Sequence, residues 1–222
     1  MSDTRRSRSP QQKRSIEKRE RILESAYSLI CSRGYNNTST PEVAKEVGVS
    51  VGTVYAYFED KHDLLMAVFD RYMVTFDAER DEAMDTLRTS KDNLRDTLRH
   101  LIDRLVAVHD ESKAFNLELK ALYYSDPAIA ALLDAQDGKI RSAITDFLRE
   151  NQRKYRLDDP VANAFLYDRI IQTTVEKIVF DPGDIDRESL VSAALDILCG
   201  RLRTNRRAKN MDAAMKAPTG KS

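Results

Sequence analysis

Between Ser39 and Phe58 the chain starts a helix, stops it and starts another, and this close punctuation constrains the fold more than any other feature. Ser39 and Glu42 have capping-box spacing, and Pro41 falls in the first turn, where its missing N–H is no loss. The helix they open, roughly Pro41 to Val47, stops at Gly48, a residue that tolerates the left-handed conformation of a helix C-cap. Ser50 can then cap a second helix, Val51 to about Phe58, through its hydroxyl. Two short helices joined by a tight turn containing glycine make a helix-turn-helix.

On a helical wheel Val54 and Phe58 share one side of the second helix, flanked by Val51 and Tyr55, and that side is expected to face the core. Gly52, Thr53, Ala56 and Tyr57 share the other. Glycine and alanine there could simply let helices pack closely. A face of two small residues and two hydroxyls is, however, a poor solvated surface, and it fits close approach to base edges, thymine methyls and phosphates. Lys61, just past Asp60 at the cap of the next helix, is placed to reach a phosphate.

In Gly34-Tyr35, Thr38-Ser39, Val43-Ala44, Gly48-Val49-Ser50, Gly52-Thr53-Val54-Tyr55, Tyr57-Phe58 and Lys61 the chain resembles the DNA-binding segment of the TetR family of transcriptional regulators. The resemblance runs from about Arg19 to Phe69. It implies that Thr40, Tyr55, Tyr57 and Lys61 touch or flank phosphates while Val51, Gly52, Thr53 and Ala56 face bases; Ser39 and Pro41 complete the candidate DNA-binding set. Pro41 is a departure, because it stands where some members carry a base-reading side chain and proline has no side-chain donor. With few polar readers, sequence preference is expected to lean partly on DNA shape and deformability.

Outside this segment every secondary-structure signal is helical, with no alternating run bounded by turn residues. The expectation is an all-α fold of about nine helices: an N-terminal three-helix helix-turn-helix domain and a C-terminal helical domain for ligand binding and dimerisation. By position this gives a disordered basic arm over 1–15, the DNA-binding domain over 16–62 with its helix-turn-helix at about 39–58, a helical body over 63–203 and a disordered basic tail over 204–222. The first helix should span Ile16 to Arg33, with Ile22, Leu23, Ala26, Leu29 and Ile30 as its packing stripe. The fourth should run from Asp60 toward Leu87, and later ones should start at Ser90, near Ser112, at Asp126-Pro127, at Asp159-Pro160 and near Asp186.

Net charge is zero over the 222 residues but segregated: +3 over 1–62, −9 over 63–200 and +6 over 201–222. The arm with Arg5, Arg6, Arg8, Lys13 and Arg14 could track phosphates in a salt-dependent way, or could be a solvated arm that only aids solubility. No apolar run reaches membrane-spanning length, and the Arg/Ser-rich N-terminus lacks a signal peptide's apolar region, so the expected location is cytoplasmic. Cys31 and Cys199 are too few for a metal set or disulfide framework and read as apolar fillers. Three histidines, His62, His100 and His109, do not converge, and there is no phosphate loop or serine elbow. No enzyme, metal or cofactor is expected.

A helical stripe of Phe115, Leu119, Leu122 and Tyr123, faced by Phe76, Leu101, Leu105 and Phe147, is the candidate lining for a largely apolar small-molecule effector, although such stripes are more often core. Glu118, if turned inward, would favour a polar or cationic group. The last two helices carry broad apolar faces, from which Phe165, Ile170, Thr174, Ile178, Val191, Leu195, Leu198 and Leu202 are candidates for a homodimer seam. The resemblance implies a two-fold dimer built by that pair, released from operator DNA when its effector binds. A dimer also suits the reader, because one helix-turn-helix grips only one half-site.

Overall fold

In the computed structural model, residues 10–89 and 94–202 are described, and they form ten α-helices with no strand among them. In chain order these are α1 (Pro10–Arg33), α2 (Thr40–Val47), α3 (Val51–Tyr55), α4 (Lys61–Thr89), α5 (Leu94–Glu111), α6 (Lys113–Tyr123), α7 (Pro127–Glu150), α8 (Gln152–Tyr155), α9 (Pro160–Phe180) and α10 (Arg187–Leu202). The all-α expectation holds. The added helix is α8, a single turn closed by Arg156 in the left-handed conformation and pinned by the buried Tyr155 and Leu157. It is too short to show a helical period. The arm over 1–9, Ser90 and the tail from 203 lie outside the described residues.

Two compact units are present, Met1–Asp81 with Val108–Gln136 and Glu82–Ala107 with Asp137–Ser222, so the chain passes between them within α4, α5 and α7. In the first unit the α1 stripe Ile22, Leu23, Ala26, Leu29 and Ile30 is buried against Val43, Ala44 and Val47 of α2, Val54 and Phe58, and Leu64, Leu65, Val68 and Phe69 of α4. Burying each of the Val, Leu, Ile and Phe side chains among them stabilises the fold by about 1.5–3 kcal/mol, before ordering entropy is counted. The α6 stripe Phe115, Leu119 and Leu122 joins the same core, where Phe115 packs on Tyr27 and Tyr72 with ring centroids 5.0 and 4.8 Å apart.

The second unit builds its core from Leu98 and Ile102 of α5, Phe147 and Leu148 of α7, Ala164 and Tyr167 of α9, and Val191, Leu195 and Leu198 of α10. Ion pairs tie α5 to α10 at its edge: Arg95 to Asp196 at 2.6 Å, Arg187 to Asp103 at 2.8 Å, and Arg99 to Glu188. These are exposed and each is worth under about 1 kcal/mol.

Three local expectations need correction. The first helix begins at Pro10 rather than Ile16, because Pro10 can open a helix and Gln11-Gln12-Lys13-Arg14 are good helix formers, so residues 10–15 are helical. Ser112 stands at the N-cap of α6 but makes no cap bond there; its hydroxyl donates to the Val108 carbonyl at 2.6 Å and lies 2.9 Å from the Tyr72 hydroxyl. Among the seam candidates, Thr174, Val191, Leu195 and Leu198 are buried inside their own unit, Leu195 being 1% exposed. Their apolar period was filled by intrachain packing. Ile170 and Ile178 are half-buried, Phe165 is 49% exposed, and the Leu202 side chain lies outside the described residues. The apolar side chains these two helices turn outward are Val161, Phe165 and Leu166 on α9 and Ile197 on α10.

Candidate nucleic-acid interface

The α2–α3 pair is shaped by its own ends. The Ser39 hydroxyl accepts from the Glu42 N–H at 3.4 Å while the Glu42 carboxylate accepts from the Ser39 N–H at 2.9 Å, a closed capping box. Hydrogen bonding to Ser39 holds the Glu42 carboxyl below the usual carboxylate range. Gly48 closes α2 in the left-handed region (φ 75°), with its N–H donating to the Lys45 carbonyl at 3.1 Å and the Val49 N–H donating to the Ala44 carbonyl at 2.9 Å. That pair of bonds is a Schellman motif. Ser50 then caps α3, accepting from the Thr53 N–H at 3.1 Å.

With Val54 and Phe58 buried, α3 turns Gly52 and Ala56 outward, with Thr53 half-exposed beside them. Val51 is half-buried at the core edge. Tyr55 departs from the wheel: it is 51% exposed although Val54 and Phe58 beside it are buried. Conversely Tyr57, expected on the outward side, packs partly against the core beyond the helix end, its hydroxyl 3.0 Å from the Ser15 hydroxyl. On α2, Pro41 is exposed and Ser39 half-exposed, but Thr40 is only 5% exposed, so its side chain is not offered to a phosphate. The Lys61 ammonium sits 4.3 Å over the Tyr35 ring and 3.4 Å from the Asn36 carbonyl, at the margin of this surface.

Two supporting residues have no signature in the sequence. Arg21 of α1 donates to the Val47 carbonyl at 2.8 Å, holding the last turn of α2. Glu118 of α6, expected near an effector, instead accepts from the Tyr35 N–H at 2.6 Å and so fixes the loop between α1 and α2. Each contact joins residues far apart in the chain, which only the folded unit brings together.

The effector candidates are divided between the two units. Phe115, Leu119 and Leu122 are spent in the first core, Tyr123 is half-buried with its hydroxyl donating to Asp134 at 3.0 Å, and Phe147 and Leu101 belong to the packing of the second unit, as Leu105 does by position. Phe76 alone of the set lines a cleft of about 390 Å³ in the first unit. No group of three or more side chains suited to a metal occurs among the described residues, and none of their helices is long and apolar enough to cross a membrane.

A short helix with a small-residue outer face, held by two self-closed caps on a three-helix core, defines a helix-turn-helix DNA-binding protein. The description of bacterial regulatory proteins of the tetR family matches residues 22–68, the segment that holds α2 and α3. Over those residues the chain is similar to the DNA-binding segment of the TetR family, and it is a DNA-binding transcriptional regulator. It is 26% identical over 184 residues to the fatty acid metabolism regulator protein of Bacillus subtilis, covering 80% of this chain and 91% of that one. Solved structures of similar fold include a putative TetR-family transcriptional regulator from Mesorhizobium loti, with a TM-score of 0.67 and 21% identity over 85% of this chain and 96% of that one. Another is the fatty acid degradation regulator FadR from Bacillus halodurans, with a TM-score of 0.63 and 19% identity over 90% of this chain and all of that one.

Proposed function

We propose that the protein is a homodimeric repressor that reads a palindromic operator and lets go of it when a small molecule binds. The observation that carries this reading is the outward face of α3, where Gly52 has no side chain and Ala56 only a methyl group to keep a DNA backbone or base edge at a distance. The DNA-contacting set on this reading is Ser39, Pro41, Val51, Gly52, Thr53, Tyr55, Ala56, Tyr57 and Lys61, with the α1 residues Lys13, Arg14 and Lys18 exposed at the same end of the unit as Tyr57. Residues 16–62 read DNA and the helical body transmits the signal.

Two-fold symmetry would set two readers about one DNA turn apart, and the seam best suited to it is the outward α9–α10 surface of Phe165, Leu166, Val161 and Ile197, with Ile170 and Ile178 behind it. The name of the Bacillus subtilis relative makes genes of fatty-acid metabolism a first set of targets to examine. Selection of duplexes from a random pool should enrich an inverted repeat, and the Tyr57→Ala and Lys61→Ala proteins should bind it more weakly with helix content unchanged. Losing the Lys61 phosphate contact should also flatten the salt dependence by about one ion. Equal retention of every duplex, or unchanged affinity in both variants, would overturn the assignment.

A further inference from the structure

Helix α3 is only five residues long, and within it Val54 is the one buried side chain, with Val51 half-buried at the core edge. A single buried side chain is a pivot: it fixes where the helix sits but not the direction in which it points. That direction has to come from the two ends of α3, and at both of them α1 reaches across with polar side chains. At the exit the Ser15 hydroxyl lies 3.0 Å from that of Tyr57, and the Arg19 guanidinium carbon lies 5.5 Å from the centre of the Phe58 ring. At the entry Arg21 donates to the Val47 carbonyl at 2.8 Å.

The entry contact is the more demanding of the two. The left-handed closure at Gly48 takes up the carbonyls of Ala44 and Lys45, and Arg21 takes that of Val47, the last residue of α2. A cation there also faces the negative end of the α2 dipole. Further along α1, Arg33 donates to the Glu42 carboxylate at 3.1 Å in the first turn of α2, so α1 holds that helix at both ends. From Val47 the chain runs straight to Ser50, whose hydroxyl caps α3, and a shift of the Val47 peptide is passed on to the first turn of the reader. Arg21 itself is exposed, so removing it opens no hole in the core.

We infer that Arg21 is a positioning residue for sequence readout: its bond to the Val47 carbonyl sets the pitch of α3 against the bases without touching the DNA. This rests on the reading of α3 as the helix that enters the groove. Contacts to base edges depend on direction and carry discrimination, whereas contacts to phosphates carry charge and tolerate a small tilt. Loss of the Arg21 bond therefore lowers the preference for one duplex over another and leaves the grip on random DNA as it was.

The test compares full-length wild type with Arg21→Met, which keeps an apolar stem and removes the donor, and with Arg21→Lys, which returns a cationic donor. Affinity is measured over a range of salt for a duplex selected by the wild type and for a random duplex. In Arg21→Met the ratio of the two affinities should fall about ten-fold, the discrimination that one base contact carries, with affinity for the random duplex and its salt slope unchanged. Arg21→Lys should recover a good part of the ratio. An unchanged ratio overturns the inference; so does an equal fall on both duplexes with a slope smaller by about one ion, which would make Arg21 a phosphate contact. A wild type that selects no duplex is instead the failure of the reading of α3, and the positioning is then decided without DNA. Amide exchange at Gly48 and Val49 should quicken several-fold in Arg21→Met while that at Gly34 stays as it was, and unchanged exchange at all three overturns it.

Discussion

The ends of α1 and α2 are both turned by a glycine, and they are closed in different ways. At Gly48 (φ 75°) the next N–H, that of Val49, finds a carbonyl within its own helix, at Ala44. At Gly34 (φ 82°) the glycine N–H still bonds back to the Ile30 carbonyl at 2.8 Å, but the following N–H, that of Tyr35, is taken by the carboxylate of Glu118 from α6. So α2 closes itself, while the end of α1 is closed by a side chain from 83 residues further along the chain. The self-closed end can be carried as a unit with the reader. The borrowed closure makes the loop leading into the reader depend on where α6 lies in the same unit, so a shift of α6 has a short path to α2.

Breaking the borrowed end should have the largest effect. In Gly34→Ala the new Cβ would sit in the left-handed region, costing about 1–2 kcal/mol, and 3.3 Å from a Glu118 carboxylate oxygen that is itself held by a hydrogen bond. The neighbour cannot retreat without giving up the Tyr35 N–H, so the total loss should reach about 2–4 kcal/mol. Gly48→Ala meets nothing within 4 Å and should lose only the backbone term of about 1–2 kcal/mol. Urea denaturation of both variants decides it. If Gly48→Ala proves as costly as Gly34→Ala, the borrowed closure carries no weight of its own.

The reader was legible because its determinants are local. Ser39, Glu42, Pro41, Gly48 and Ser50 act within five residues of themselves, so their spacing alone places two helices and the turn. The outward Gly52 and Ala56 followed from the positions of Val54 and Phe58. Tyr57 leaves the wheel because α3 ends at Tyr55, and a wheel drawn to Phe58 extends a geometry that stops earlier. Glu118 read as an effector residue, and the sequence offered no other partner for it; its true acceptor role needs α6 laid against the end of α1. The α10 stripe, a candidate for a seam, shows a related point. A period of apolar residues tells which side is buried but not whether the chain itself or a second copy buries it, and Val191, Leu195 and Leu198 turned out to be covered from within.

Removing the acceptor tests the borrowed closure without touching the glycine. Glu118→Ala leaves a half-buried Tyr35 N–H without its charged partner, for a loss of about 1.5–3 kcal/mol, and should free the α1–α2 loop. Glu118→Gln retains a carbonyl acceptor at that place and should recover a good part of it. Hydrogen exchange at the Tyr35 amide is the direct measure: faster exchange in Glu118→Ala with the Val49 amide unchanged would separate the two ends, whereas parallel acceleration of both would show that they open together.

The smallest effect is expected where α2 depends only on itself, at its start. In Ser39→Ala the Glu42 N–H loses its acceptor and the capping box opens, which for a lost serine cap amounts to about 1 kcal/mol. The pH dependence makes the assignment specific. Because the Ser39 bonds hold the Glu42 carboxyl below its ordinary range, their contribution is complete above that range and is lost as pH falls through the lowered value. Wild type should therefore lose part of its stability on acidification over that window, and Ser39→Ala should lose less, so that the two denaturation midpoints converge toward low pH. Curves that stay parallel down to the acid limit would mean that the carboxylate of Glu42 is indifferent to Ser39, and that α2 is closed at its C-terminal glycine alone.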